Sequence, residues 1–400
     1  MKESIRKNST SLFITIGVIL AHIVVIGLIV SSCSSRSAKK DDGKTGTNSR
    51  PNETPEAVVS TPGEEQTRPW ADKFGPPVKP PVAPGGGTRS GHGPLYIRST
   101  DPNFGKPLDF SQADRRPPEK IHPSMKKWQG TGIIVDMNSR KVLWERNSDR
   151  PMPVASMTKL MTVLLVVEEI DRNPKLSLDT KITVTASAME AIPPKERSKN
   201  QAKKLKPGDV YTVRELLLCT MVISNNDAAT QLAEVVDGNV DAFVAHMNRR
   251  ARALGLNSMT FYTPSGLNDA QGRPSVASAA DMVRLAERLL EYPEVFKMFS
   301  AHSAVINGNT VPATNDVKGR GIDGMKTGFI HKSGFCLTFS VLRDGCRMIG
   351  CVTKFDSAAD RRHFCHSLIN WAYRQAGAKT GTGAPQRKTP TGGGKKSRRK

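Results

Sequence analysis

The hydrophobic pattern divides this chain of 400 residues into segments of different character. Leu12 to Val30 is an almost unbroken apolar run, interrupted only by Thr15, Gly17, His22 and Gly27. Residues 34–115 show neither the helical nor the strand period and are rich in Pro, Gly, Ser and Thr. From residue 116 the pattern becomes that of a folded domain. Gly130 to Asp136 and Lys141 to Glu145 read as two strands, with Met137-Asn138-Ser139-Arg140 as the turn between them. Pro151-Met152-Pro153 leads into a helix that begins at Ser156 and is apolar on nearly every side through Val167, the mark of a helix inside a protein.

Beyond it, Leu176 to Ala188 is mixed and Lys195 to Lys206 is polar and basic. Leu205-Lys206-Pro207-Gly208-Asp209 is a turn. Helices are expected at Val213 to Val222, Ala228 to Val236, Val240 to Leu254 (closed by Gly255) and Ser278 to Leu290. Gly334 to Ser340 and Met348 to Thr353 read as strands joined through Arg343-Asp344-Gly345, and Ala358 to Gln375 as a closing helix. Strands first and last, with helices between, predict an α/β domain of the α+β type: an antiparallel sheet built from both ends and flanked by helices. There is no internal repeat.

Charge changes this picture only at the ends. The net charge is +22, and Lys379, Arg387, Lys388, Lys395, Lys396, Arg398, Arg399 and Lys400 crowd the last stretch with no acid among them. A basic chain can bind nucleic acid, anionic lipid or an acidic polymer, but no nucleic-acid-binding motif is present, so no specific nucleic acid is expected. Residues 378–400 read as a disordered, solvated tail. The 6 cysteines contain no Cys-x-x-Cys pair, which argues against a zinc site. Cys219, Cys336, Cys351 and Cys365 lie in apolar surroundings and read as core, whereas Cys346 follows a turn and could pair.

Lys2, Arg6 and Lys7 precede the first apolar run, and Val30-Ser31-Ser32-Cys33 follows it. This start is an export signal, and its end resembles a bacterial lipoprotein box with Cys33 as the lipid-modified residue. A run this long also approaches the about 20 residues that span a bilayer. Residues 1–33 are therefore either an uncleaved anchor or a lipoprotein signal. Both put the rest of the chain outside the cytoplasm on a membrane tether. Residues 34–115 supply a disordered linker of reach between membrane and domain. The domain itself is expected over residues 116–377.

The candidate chemistry starts at Ser156. Ser156 and Lys159 are three apart at the start of a buried helix, so they share a face, and the serine stands at the positive end of the helix dipole. That is a poor way to build a core and a good way to build a nucleophile. Two further motifs stand in order after it, Ser224-Asn225-Asn226 and Lys326-Thr327-Gly328. Ser-x-x-Lys, Ser-x-Asn and Lys-Thr-Gly together form the signature of penicillin-binding proteins and class A β-lactamases. Each alone is common here: Ser-x-x-Lys also begins at Ser4, Ser37, Ser124 and Ser397, Ser-x-Asn at Ser198, and Lys-Thr-Gly at Lys44 and Lys379. Only Ser156 opens an apolar helix, only Ser224 lies between two helical stretches, and only Lys326 immediately precedes a strand-like region inside the domain.

With Asp323-Gly324-Met325 before Lys326, Thr263-Pro264-Ser265-Gly266-Leu267, and Ser278-Ala279-Ala280-Asp281-Met282, the chain resembles the low-molecular-mass penicillin-binding proteins that act as D-alanyl-D-alanine carboxypeptidases. The resemblance covers roughly residues 117 to 377. It implies a β-lactamase/D,D-peptidase-like fold with an all-helical subdomain. Too little chain follows for the C-terminal β domain of many relatives. It implies Ser156 as the acylated nucleophile, Lys159 as its base, and Ser224 as the relay of a proton to the leaving D-alanine. Asn226 would hold a substrate amide, Lys326 add positive field, and Thr327 bond the terminal carboxylate. Gly328 completes this substrate-binding motif, and the backbone N–H groups of Ser156 and Phe329 would form the oxyanion hole. Arg361 or Arg362 would add charge for the carboxylate, or else begin a helix in solvent; Asn226 could instead cap its helix. No metal or other cofactor is required. The partners implied are peptidoglycan stem peptides ending in D-Ala-D-Ala, with β-lactams as inhibitors.

The departures from the family are local. Pro193-Pro194-Lys195-Glu196-Arg197 stands where relatives carry a Gly- and Ser-rich stretch, and Thr314-Asn315 where many carry an Asn-Arg-Asn type segment. Three other readings stay open on sequence. A class A-like β-lactamase would need a positioned Glu, and Glu234 and Glu287 lack the Glu-x-x-Leu-Asn pattern. A D,D-endopeptidase would cut the same type of bond. A non-catalytic wall-binding protein would use the tail and linker.

Overall fold

The structure, a computed structural model, describes residues 94–116, 128–194 and 204–380, with backbone alone for 378–380. The expected signal at 1–33 with Cys33, most of the expected linker, and the tail beyond 380 lie outside the described residues.

Five strands make the main sheet: β1 (Gly132–Asp136), β2 (Val142–Arg146), β3 (Ile322–Ile330), β4 (Gly334–Arg343) and β5 (Cys346–Phe355). Their order is β2-β1-β5-β4-β3, and every pairing is antiparallel. Among the described residues the first hairpin therefore docks against the last strand, Ile134 opposite Gly350, so the two ends of the domain close one sheet. The sheet is covered on both faces, and its strands alternate which side they serve. Leu337, Phe339 and Val341 of β4 pack with Phe364, Leu368 and Ile369 of the closing helix, here α6 (Ala358–Thr380). Cys336 and Thr338 turn to the other face, where Thr338 Oγ1 donates to Met157 Sδ at 3.2 Å.

That second face is covered by the helix Ala279–Arg288 and the turn Ala155–Thr158, and behind them runs α1 (Lys159–Arg172). Leu160, Met161, Val163, Leu164, Leu165, Val166, Val167 and Ile170 are all at most 1% exposed. At about 1.5–3 kcal/mol for each buried large side chain, this helix is a fixed platform. Around it stand α2 (Val213–Val222), α3 (Asn226–Asp237), α4 (Val240–Ala253) and α5 (Ala279–Arg288). Their starts follow the sequence chemistry. Thr212 and Glu215 form a reciprocal capping box on α2, and the side chains of Asn225, Asn239 and Ser278 each accept a backbone N–H of the first turn.

Four expectations shift. Order begins before residue 116. Leu95 and Leu108 are buried, and Asp109 and Asp114 bridge Lys141 and Trp144, which covers the outer edge at β2. Composition hides this, because isolated apolar residues among prolines and glycines are held there by backbone bonds to an open sheet edge. Ser156 lies in a 3₁₀ turn, Ala155–Thr158, and α1 proper starts at Lys159. Lys326 does not precede a strand but sits in the middle of β3. The charged residues and glycines of β3 mask a strand whose central residues are buried. Cys219, Cys336, Cys346, Cys351 and Cys365 are all free thiols, so the pairing considered for Cys346 is absent among the described residues.

Candidate active site

The short pairing of Met152–Pro153 with Val276–Ala277 fixes the approach to Ser156. Val154 N donates to Ser275 O at 3.1 Å. The backbone then turns sharply: Ala155 has φ 48°. Two glycines make room for the turn. Gly266, at φ +78°, lies so close that a Cβ there would stand 1.9 Å from Ala155 O. A Cβ on Gly328 would stand 2.6 Å from Val154 O. Gly328 thus lets β3, the edge strand of the sheet, run directly beside the turn that carries Ser156.

The three motifs meet at one amine. Lys159 is 0% exposed, and its Nζ lies 3.1 Å from Ser156 Oγ. The same Nζ donates to Asn226 Oδ1 at 2.7 Å and to Ser265 O at 2.6 Å. Burial holds the Lys159 amine well below the ordinary lysine value, the Lys326 cation pushes it the same way, and Asp227 opposes both. Lys326 is 1% exposed, and its Nζ donates to Thr327 O at 3.0 Å. Burial, and then Arg361, bring Lys326 down to about 7.

Ser224 is half-buried in the turn between α2 and α3, with φ 59°. That turn is tied by Asn225 N, which donates to Cys219 O at 2.9 Å. Asn225, not Asn226, caps α3, and this leaves the Asn226 carboxamide free to reach Lys159. Asp227, in the first turn of α3, accepts Leu205 N at 3.0 Å and so joins the Leu205 turn to the second motif. Thr327 is buried, and its hydroxyl lies 3.0 Å from that of Thr314. Phe329 follows with a side chain 48% exposed.

Arg361 is not a solvated helix start. It is 3% exposed, pairs with Asp316, and donates to Cys336 O at 3.3 Å. Arg362 also pairs with Asp316, at 3.1 Å. The Arg361 charge is thus held from behind β3 and β4 rather than left free. Sequence reasoning gave no part to Ser265 O, Asp227 or Thr314. Backbone carbonyls leave no mark in a sequence, and the aspartate and threonine had no partner visible there. The Gly266 in Thr263-Pro264-Ser265-Gly266-Leu267 was the one available signal of a close approach.

Comparison with known proteins agrees with this geometry. The family model described as D-alanyl-D-alanine carboxypeptidase matches residues 121–357. A Bacillus subtilis D-alanyl-D-alanine carboxypeptidase, DacF, is 30% identical over 67% of this chain and 67% of its own. A Pseudomonas aeruginosa D-alanyl-D-alanine endopeptidase is 30% identical over 52% of this chain and 65% of its own. Among solved structures, penicillin-binding protein D2 of Listeria monocytogenes in a cefotaxime-bound form superposes with a TM-score of 0.53. It is 30% identical, over 61% of this chain and 96% of that one. The curated relatives share between 60% and 67% of their length with this chain. All three motifs fall within the matched stretch, and the chain belongs to the D-alanyl-D-alanine carboxypeptidase family of serine peptidases.

Proposed function

We propose that this protein is an exported, membrane-tethered D,D-carboxypeptidase that removes the terminal D-alanine from peptidoglycan stem peptides and is acylated by penicillin on Ser156. One observation carries the reading: a fully buried lysine amine with lowered proton affinity, 3.1 Å from a serine hydroxyl. A neutral amine has two N–H donors and one lone pair. Asn226 Oδ1 and Ser265 O take the two donors, so the lone pair is left for the Ser156 proton. Lys159 is then a general base already aimed at its nucleophile.

The remaining roles belong to the same proposal. Ser156 Oγ attacks the carbonyl carbon of the penultimate D-alanine while its proton passes to Lys159. The backbone N–H groups of Ser156 and Phe329 stabilise the oxyanion. The C–N bond breaks as Ser224 relays a proton to the departing amine. Water then adds to the ester carbonyl, the C–Oγ bond breaks, and Ser156 recovers its proton. β3 is an edge strand, so an extended peptide can lie along it. Asn226 Nδ2 faces a substrate carbonyl, and Lys326 with Thr327 receives the terminal carboxylate. Arg361 is paired with Asp316 and contributes field rather than contact. The apolar run ending in Val30-Ser31-Ser32-Cys33 supports the tether, and the Pro- and Gly-rich stretch after it supports reach toward the wall.

The test is intact mass of the full-length protein after penicillin, beside Ser156→Ala. A stable adduct on the parent alone, with D-alanine release from a pentapeptide, is the expected result. Penicillin consumed without an adduct would point to a β-lactamase. Neither adduct nor consumption would overturn the enzyme reading. An endopeptidase is the second reading, favoured by the Pseudomonas relative. Release of monomers from cross-linked dimers, faster than D-alanine release, would select it.

A further inference from the structure

We propose that Thr314 is a positioning residue that frees the Thr327 hydroxyl to hold a substrate's terminal carboxylate, an inference that rests on the peptidase reading above. Thr314 follows the hairpin of Ser303–Ile306 and Asn309–Pro312 and lies half-buried against the end of α2. Its backbone N–H donates to Val222 O at 2.9 Å. Its hydroxyl reaches the same Val222 O at 3.3 Å and the Thr327 hydroxyl at 3.0 Å. Val222 is the last residue of α2 and precedes the turn that holds Ser224. Thr314 therefore links the second and third motifs through hydrogen bonds alone.

Each hydroxyl has one proton to give. In one arrangement Thr327 donates to Thr314, and Thr314 donates to Val222 O. In the other, Thr314 donates to Thr327, and the Thr327 proton is free for an incoming carboxylate. The change leaves nothing buried without a partner, because Val222 O keeps the Thr314 N–H at 2.9 Å. The bond given up, at 3.3 Å, is the weakest of the three. The bond gained is to a charged acceptor, and a chain of donors strengthens its last member. Valine in place of Thr314 removes this second arrangement's donor and leaves Thr327 without its partner, while nearly keeping the side chain's shape.

Two thioesters separate this role from a structural one. An N-acyl-D-alanyl thioglycolate carries a carboxylate on its leaving group, and the matching ethyl thioester carries none. In both, Ser156 Oγ replaces sulfur at the carbonyl, the thiolate departs, and water hydrolyses the ester. Thiol release gives kcat/KM for each with one preparation, so their ratio is independent of how much protein is folded. Thr314→Val is expected to lower the ratio of thioglycolate to ethyl thioester on the order of tenfold, mostly through KM. Thr314→Ser, which restores the hydroxyl, is expected to return it to within about threefold of the parent. An unchanged ratio in Thr314→Val, whether both rates fall or neither does, overturns the inference. A parent that hydrolyses neither thioester overturns the peptidase reading and the inference with it.

Discussion

The Lys159 amine and the Asn226 carboxamide oxygen meet at 2.7 Å, although they stand on different helices and 67 positions apart in the chain. This contact ties the base of the first motif to the substrate-facing residue of the second. It also predicts how the site fails. Lys159→Met keeps the volume of a fully buried side chain but has no lone pair to take the Ser156 proton. Acylation by penicillin, followed as mass adduct against time, is expected to slow by about 10²–10⁴-fold, the usual contribution of a positioned base. The melting temperature should change little, because the relief of removing a buried ionisable group is offset by leaving Asn226 Oδ1 and Ser265 O without their donor. A variant acylated at the parental rate would remove Lys159 from the mechanism.

The pH dependence of acylation has a defined sign. The reactive form of Lys159 is the free amine, so the rate rises with pH through the Lys159 titration and is lost below it. The charged groups acting on that amine are Lys326, which lowers its proton affinity, and Asp227, which raises it. Asp227→Asn keeps an oxygen for Leu205 N and removes the negative charge. Lys159 then releases its proton more readily, and the acid limb of kcat/KM moves to lower pH. A purely structural effect would lower the whole profile without moving the limb.

Two glycines with similar backbone angles separate close approach from conformational strain. Gly266 has φ +78° and no room, since its Cβ would meet Ala155 O at 1.9 Å. Gly255 has φ +71° with nothing within 4 Å. Gly255→Ala is expected to cost about 1–2 kcal/mol, the ordinary penalty of a left-handed residue. Gly266→Ala must in addition displace the backbone next to Ser156. It is expected to cost at least about 3 kcal/mol and to slow acylation, whereas Gly255→Ala leaves acylation unchanged. Denaturant titration and penicillin adduct formation on both variants provide the check; equal costs would mean that Ala155 yields freely.

These differences mark what could be read from the chain. The helices were legible because their signals are local. Val213 to Val222 was read with its ends as observed, and Ser278 as the cap of α5. The three motifs were legible because each carries its chemistry in adjacent letters. What could not be read is what distant segments do to each other. The strand expected after Lys326 in fact begins before it, at Ile322, because β4 and the Ser156 turn enclose its polar and glycine residues. Arg361 read equally well as solvated, because Asp316 lies 45 positions away. Ser265 acts through its carbonyl, which every residue possesses. The order of residues 94–116 rests on edge bonds to β2 that no hydrophobic period announces.

Lys326 carries the last prediction, in which stability and activity oppose each other. Its proton affinity falls from the ordinary lysine value to about 7 on folding. Between about pH 7 and the ordinary lysine range near 10.4, the unfolded chain therefore binds more protons than the native one. Stability must rise with pH across that window, by up to about 1.4 kcal/mol per unit for one such group. Lys159, lowered for the same reason, adds in the same direction. Below neutral pH the native state carries the full cost of a charge buried beside Lys159 and Arg361. Lys326→Met should remove the Lys326 share of this slope and raise the melting temperature near pH 6.5. It should also raise the Lys159 proton affinity, move the acid limb of acylation to higher pH, and weaken binding of the terminal carboxylate. Calorimetry of parent and variant from about pH 6 to 9 reads the slope, a window set by the two lysine values. A parent whose stability is flat or falls with pH, once other titrating groups are matched by the variant, would mean that Lys326 keeps its ordinary proton affinity and that the positive field in this site is not stored at the expense of the fold.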